Sequence, residues 1–264
     1  MKRVSIAVVG FAAAAAFGWG WLNHWGDRSP AISVHEPHDR PQGLIVFWTG
    51  DAGFLGLPTG LARAWAARGH RVVLIDSLRY FTQQRSAAEQ ADDIAMIVTR
   101  HGQGLPVVLG GYSFGANTLV SAYPDLTPAL RERVVAIVLV SLTTTIDFEG
   151  AHVSLARSLL GLKGKGSRQV ADAIAKLPAD RTVCVIGLED DRNPCASGAE
   201  GGLAHVVVPG GHRPGVSDSE LADLLEPFVR GQKTHFKRPD NPPETMRLTS
   251  SSTRPAARPP GQAT

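Results

Sequence analysis

A series of short, nearly unbroken apolar runs constrains this chain more than any other feature. Residues 44–49, 71–75, 106–111, 134–141, 182–186 and 204–208 are rich in Val, Ile and Leu, and almost none of them alternates polar with apolar positions. A strand with one wet face alternates; a strand buried on both faces does not. The segments between these runs have helical character, at residues 55–68, 87–101, 114–123 and 217–229. Gly69 closes the first of these helices, and Ser86 followed by Glu89 opens the second in the pattern of a capping box. Strands buried on both faces and separated by helices predict an α/β fold, a mostly parallel sheet flanked by helices. We place it in a single compact domain over residues 42–232. In such sheets reactive groups collect at the carboxyl ends of the strands.

Composition narrows the function. The chain has 264 residues, 43% of them hydrophobic and 19% charged, with a mean hydropathy of −0.03. These values exclude global disorder and a polytopic membrane protein. Two cysteines are too few for a disulfide-built miniprotein or a cysteine-based zinc domain. The net charge of +3 is misleading, because residues 233–264 alone carry +4 and the rest sums to −1. The folded part therefore offers no polyanion-binding surface, and no nucleic-acid partner is expected. The histidines are scattered without metal-ligand spacing, and neither a phosphate loop nor a dinucleotide fingerprint is present. No metal and no cofactor is expected.

Both ends read as lying outside the fold. Lys2 and Arg3 precede an uncharged run over residues 4–22, which at about 1.5 Å per residue is long enough to cross a bilayer. Residues 1–22 read as a signal peptide or an N-terminal membrane anchor, and Trp19, Trp21 and Trp25 favour the anchor as an interfacial belt. Either way the domain is expected outside the cytoplasm, in the periplasm. Residues 23–41 read as a linker. Residues 233–264, with six prolines and no apolar periodicity, read as a basic disordered tail.

The chemistry centres on Gly111-Tyr112-Ser113-Phe114-Gly115, a G-x-S-x-G sequence between an apolar strand and a helix. It resembles the nucleophile elbow of α/β-hydrolases, whose partners follow in the order serine, acid, histidine. His212 lies in the loop Pro209-Gly210-Gly211-His212 after the last strand, which makes it the candidate base. His152 precedes any plausible acid, His205 starts a strand and His235 lies in the tail. The strand 182–186 runs into Glu189-Asp190-Asp191, and Asp190 is preferred as the acid with Asp191 as the alternative. The backbone N–H of Phe114 and one from Gly50 or Asp51 are the expected oxyanion donors. Asp51 and Asp76 close strands on the reactive edge and are candidate receivers of a substrate ammonium, with Arg79 for a phosphate. Asp147 and Glu149 are further candidates. Residues 151–178, with Lys163 and Lys165, read as a small cap or a crossover helix pair.

Several stretches together resemble one family. Phe47-Trp48-Thr49-Gly50-Asp51-Ala52-Gly53-Phe54 is similar to its S-G-D-G-G-W loop, with Ala52 for a glycine and Phe54 for the tryptophan. Asp76-Ser77-Leu78-Arg79-Tyr80-Phe81, the elbow, the acidic run ending at Cys195 and the Pro209–His212 loop also fit. The resemblance is to the bacterial VirJ/AcvB virulence-protein domain, an exported α/β-hydrolase. It implies two functions of different kinds. One is hydrolysis of aminoacyl-phosphatidylglycerol, typically the lysyl form, at the outer leaflet of the inner membrane. The other is a non-catalytic role beside components of a type IV secretion system. The presence of Ser113, Asp190 and His212 together favours the enzyme. Export also bears on the two cysteines, since an exported chain with only two usually pairs them. A bridge from Cys184 to Cys195 would close a short loop around the acidic turn.

Overall fold

The computed structural model describes residues 29–146, 168–197 and 203–232, all within the unit Met1–Thr234. The apolar segment 4–22, the tail 233–264, Asp147, Glu149 and residues 151–167 of the candidate cap lie outside the described residues.

The strands are β1 (Ile32–His35), β2 (Gly43–Trp48), β3 (His70–Ile75), β4 (Val107–Tyr112), β5 (Val134–Val140), β6 (Thr145–Ile146), β7 (Arg168–Gln169), β8 (Thr182–Gly187) and β9 (Ala204–Val208). The helices are α1 (Leu57–Ala67), α2 (Ser77–Tyr80), α3 (Ala87–Gly102), α4 (Phe114–Ala122), α5 (Pro128–Arg133), α6 (Val170–Ile174) and α7 (Asp218–Val229). Seven strands form one sheet in the order β1-β3-β2-β4-β5-β8-β9. All its pairings are parallel except that of β1 with β3. β6 and β7 make a separate two-stranded antiparallel ribbon.

The apolar runs explain the layers. All six residues of β2 are buried. Leu44, Val46 and Trp48 face one side with Ile94 and Ile97 of α3 and Leu119 of α4. Ile45 and Phe47 face the other with Leu61 and Trp65 of α1 and Leu221 and Leu225 of α7. Side chains of a strand alternate between faces, so one unbroken run supplies two cores. The helix starts match the sequence pattern. Ser86 and Glu89 form the reciprocal capping box of α3, and Ser217 with Glu220 repeats it on α7.

One departure concerns residues 23–41, read above as a linker. Within them Ile32–His35 adds an antiparallel edge strand, pairing Ile32 with Ile75 and His35 with Val72. Four residues of half-buried, mixed character carry too little periodicity to stand out, and Pro30 and Pro37 bracket them. Arg71 fastens this edge through its Nε, 2.9 Å from the Glu36 carboxylate.

Trp65 is fully buried and meets Phe47 edge-to-face at 5.5 Å between centroids. Trp65→Ala should cost about 3–5 kcal/mol of stability. Urea unfolding of the purified domain checks this, and a loss below about 1 kcal/mol would mean that α1 does not anchor this face of the sheet.

Candidate functional site: a serine–histidine–aspartate arrangement at the strand ends

β4 ends at Tyr112 and the chain turns at once into α4. Ser113, at the turn, has φ 55° and ψ −121°, a region that an L-residue occupies only under strain. Packing holds it there. A Cβ on Gly111 would stand 2.4 Å from the carbonyl carbon of Gly115, and one on Gly115 would stand 2.2 Å from the Thr49 carbonyl oxygen. Both glycines of the motif are thus required by close backbone approach. The Ser113 N–H donates to the Val140 carbonyl at 2.8 Å, and the Ser113 carbonyl accepts from Ala116 and Asn117. The elbow is tied to β5 on one side and to α4 on the other.

The second component comes from the loop after β9. Gly210 has φ 92°, and the Gly215 N–H donates to the Pro209 carbonyl at 2.7 Å, closing the loop on itself. The loop interlocks with the turn after β8. Leu188 N–H donates to Val208 and Glu189 N–H to Gly210, at 2.8 and 2.9 Å. A Cβ on Gly187 would lie 2.0 Å from the Gly211 carbonyl oxygen. The absence of a side chain at Gly187 is what lets the two loops meet.

That meeting aligns three side chains. His212 Nε2 lies 2.8 Å from Ser113 Oγ, and His212 Nδ1 lies 3.5 Å from Asp190 Oδ2. Asp190 is buried, while its neighbours Glu189 and Asp191 are exposed. Of the three consecutive carboxylates, the structure therefore brings Asp190 to the histidine and leaves Asp191 facing solvent. His205 lies within β9, in register with Cys184; His152 and His235 lie outside the described residues. The Tyr112 ring flanks His212 at 5.9 Å between centroids. Burial pushes the Tyr112 hydroxyl upward in pKa, the Arg213 charge opposes this, and Asp190 and Asp51 add to it.

The loop after β2 completes the rim. Thr49 abuts the start of α4 through its carbonyl, and Gly50 sits where a Cβ would touch the Tyr112 ring at 3.1 Å. This places the backbone of Thr49 and Gly50 beside the elbow and the start of α4, which Phe114 opens. Asp51 is exposed at the rim. The protein around its carboxyl raises the pKa above the usual carboxylate range, and the nearby His212 works against that rise.

Asp76 has a different place. It is buried, and its carboxylate accepts the Arg79 N–H as the cap of α2 at 3.2 Å. A Cβ on Gly53 would stand 2.6 Å from the same carboxylate. Arg79 is largely exposed, with Nε 3.8 Å from Asp76. Ser77, Tyr80 and Phe81 of the same stretch are buried scaffold. The Ser77 N–H donates to Thr49 Oγ1 at 2.9 Å, joining the ends of β2 and β3. Phe81 stacks edge-on against Phe114 at 5.0 Å and lies 6.1 Å from Trp48. Arg85 lies 4.0 Å over the Tyr80 ring and 2.9 Å from Asp93. The Tyr80 hydroxyl donates to Asp93, and burial with this bond holds its pKa far above the usual phenol value.

Sequence reading missed Asn117 and Asn193. Buried Asn117 accepts the Thr143 N–H at 3.1 Å, fixing the segment after β5 against α4. Asn193 lies beside Asp190, 2% exposed. Only proximity in the chain to the acidic run pointed to it. Among the described residues no group of three or more His, Cys, Asp or Glu is placed to hold a metal ion.

Comparison with solved structures defines the class. The esterase domain of a Rhodothermus marinus protein superposes with TM-score 0.54 at 13% identity, covering 76% of this chain and 92% of that one. A thermophilic esterase from Thermogutta terrifontis gives 0.55 at 14%, covering 77% and 94%. MenH from S. aureus gives 0.56 at 10%, covering 77% and 99%. At these identities the likeness establishes the fold, which is that of the α/β-hydrolases. No curated protein sequence matches the chain. The family described as bacterial virulence protein (VirJ) matches residues 42–230, and the chain belongs to it.

The two cysteines form a disulfide, Cys184–Cys195, which fits an oxidising compartment outside the cytoplasm. Among the described residues no helix is long and apolar enough to cross a membrane. The bridge spans 11 residues and encloses the turn that carries Asp190. The Cys184→Ala/Cys195→Ala variant should lose about 2–3 kcal/mol by the chain-entropy argument. Counting thiols on protein denatured without reductant, together with urea unfolding, checks this. Two free thiols in the wild type, or equal stability of the variant, would contradict it.

Proposed function

We propose that this protein is a periplasmic serine hydrolase that cleaves an ester, with aminoacyl-phosphatidylglycerol, in particular the lysyl form, as substrate. The 2.8 Å contact between Ser113 Oγ and His212 Nε2 at a strained elbow carries this reading. A serine hydroxyl is a weak nucleophile until a base takes its proton. His212, with its own proton on Nδ1 facing Asp190, has Nε2 available for that task.

The reaction runs in two halves. Ser113 Oγ attacks the aminoacyl carbonyl as His212 accepts its proton, and negative charge develops on the carbonyl oxygen. The N–H of Phe114 and one from Gly50 or Asp51 receive that charge. The tetrahedral intermediate collapses, the ester C–O bond breaks, and His212 gives its proton to the departing glycerol oxygen. Water then attacks the acyl-serine with His212 again as base, releasing the amino acid and restoring Ser113. Asp190 orients the imidazole and stabilises its cation throughout.

The family resemblance supplies the choice of substrate, and the rim supports it. In this reading Asp51, beside His212, receives the substrate ammonium and exposed Arg79 the lipid phosphate. Asp76 caps α2 behind this rim.

Ser113→Ala and His212→Ala should each lower kcat by several powers of ten, because the two act as one unit. Asp190→Asn should cost less and Asp191→Asn little, as read by ester hydrolysis on variants whose circular dichroism matches the wild type. If Asp191→Asn is the more damaging, the acid assignment moves to that residue. Asp51→Asn should raise KM for a lysyl ester by about 2–5-fold, the scale of an exposed ion pair, and leave KM for an uncharged acyl ester unchanged. Equal effects on both esters would remove Asp51 from ammonium recognition. Lipid analysis of a deletion strain tests the biological substrate. Accumulated aminoacyl lipid supports the enzyme; an unchanged lipid profile with a secretion defect supports the non-catalytic role instead.

A further inference from the structure

Asp190 is buried, and a buried carboxylate needs donors. His212 supplies one contact at Oδ2. The same oxygen lies 3.5 Å from the side-chain Nδ2 of Asn193, itself 2% exposed. Which end of the Asn193 amide faces Asp190 follows from its other contact. The Cys195 N–H lies 3.1 Å from Asn193 Oδ1, and a backbone N–H can only donate. The oxygen of the amide is thereby fixed on Cys195, and the NH2 group is left for the carboxylate. The Asn193 N–H also donates to the Asp190 carbonyl at 3.2 Å. Pro194 follows, which confines the Asn193 backbone to extended conformations.

Cys195 is in turn bonded to Cys184 in β8. A continuous line of contacts therefore runs from the sheet through the disulfide to Cys195, Asn193, Asp190, His212 and Ser113. We infer that Asn193 is a positioning residue for the hydrolytic reaction, holding the Asp190 carboxylate toward His212 by donating to Oδ2, with the Cys184–Cys195 bridge as its anchor. The inference rests on the serine-hydrolase reading of the site.

Asn193 and His212 address the same oxygen. Without the Asn193 donor the Asp190 carboxylate is free to turn toward water, and the imidazolium loses part of the negative charge that stabilises it. The acid limb of the kcat/KM profile should then move to lower pH. Other groups around His212 are Asp51 from the loop after β2, Tyr112 from β4, and Glu189, Asp191 and Arg213 on the adjoining loops. All of these remain in the variants.

The test uses Asn193→Ala and Asn193→Ser in the full chain with its disulfide intact, assayed on p-nitrophenyl butyrate from pH 5 to 9. Asn193→Ser keeps an oxygen for the Cys195 N–H two residues on and adds no charge, so it preserves the turn if the alanine variant does not fold. The expected result is a fall in kcat of about tenfold, KM within about twofold of the wild type, and an acid limb displaced to lower pH. A limb that stays in place or moves to higher pH in the folded variants, whatever happens to thermal stability, would reduce Asn193 to a structural role and overturn the inference. The wild type is labelled with a fluorophosphonate in parallel. Labelling at Ser113 with an unmoved limb removes only the role of Asn193, whereas no labelling removes the hydrolase reading and the inference together.

Discussion

Close backbone packing around a strained serine is the interaction on which the rest of the site depends. At φ 55° the Ser113 backbone would relax if the chain on either side had room. It has none, because Gly111 lies against Gly115 and Gly115 lies against Thr49. Those contacts exist only because β2 and β4 are paired in register, Trp48 opposite Gly111. Burial of the apolar runs on both faces fixes that register. The aromatic group of Trp48, Tyr80, Phe81 and Phe114 packs beneath the turn. The hydrophobic core thus supports the strain from one side while the serine hydroxyl is presented on the other.

His212 and Asp190 reach the serine by a different device. Their loops follow neighbouring strands, β9 and β8. Backbone bonds from Leu188 and Glu189 to Val208 and Gly210 join the two loops, and Gly187 removes the side chain that would separate them. The disulfide closes the far side of the acid turn onto β8. Rigid placement matters here because Glu189, Asp190 and Asp191 repel one another, and repulsion alone would turn all three toward water. Only Asp190 is turned inward, where His212 and Asn193 lie beside its carboxylate.

Much of this was legible in the amino-acid sequence, and the limits have physical causes. Two-sided burial leaves unbroken apolar runs, so β2, β4, β5 and β8 could be read directly. Capping boxes are local, so the start of α3 was visible as Ser86 with Glu89, while the matching box of Ser217 with Glu220 on α7 went unread. The elbow was legible because its two glycines have fixed spacing. β1 was not, because an edge strand of four half-buried residues has no pattern to offer. The place of Asp76 was left open for a related reason. An aspartate at a strand end is equally suited to bracing a helix start and to meeting a cation, and the bond from the Arg79 N–H that shows the first is not visible in the sequence. Gly187 and Asn193 act across loops that are separate in sequence or through a disulfide, and such contacts leave no local signature.

Whether Ser113 becomes acylated decides between a hydrolase and a non-catalytic protein. Rapid acid quenching of the full chain during turnover of p-nitrophenyl acetate, followed by peptide mass mapping, measures this directly. The account predicts an acetyl group on the peptide containing Ser113, at a level that falls to background in His212→Ala. An acetyl group carried only by other residues, or none at all during measurable turnover, would contradict it.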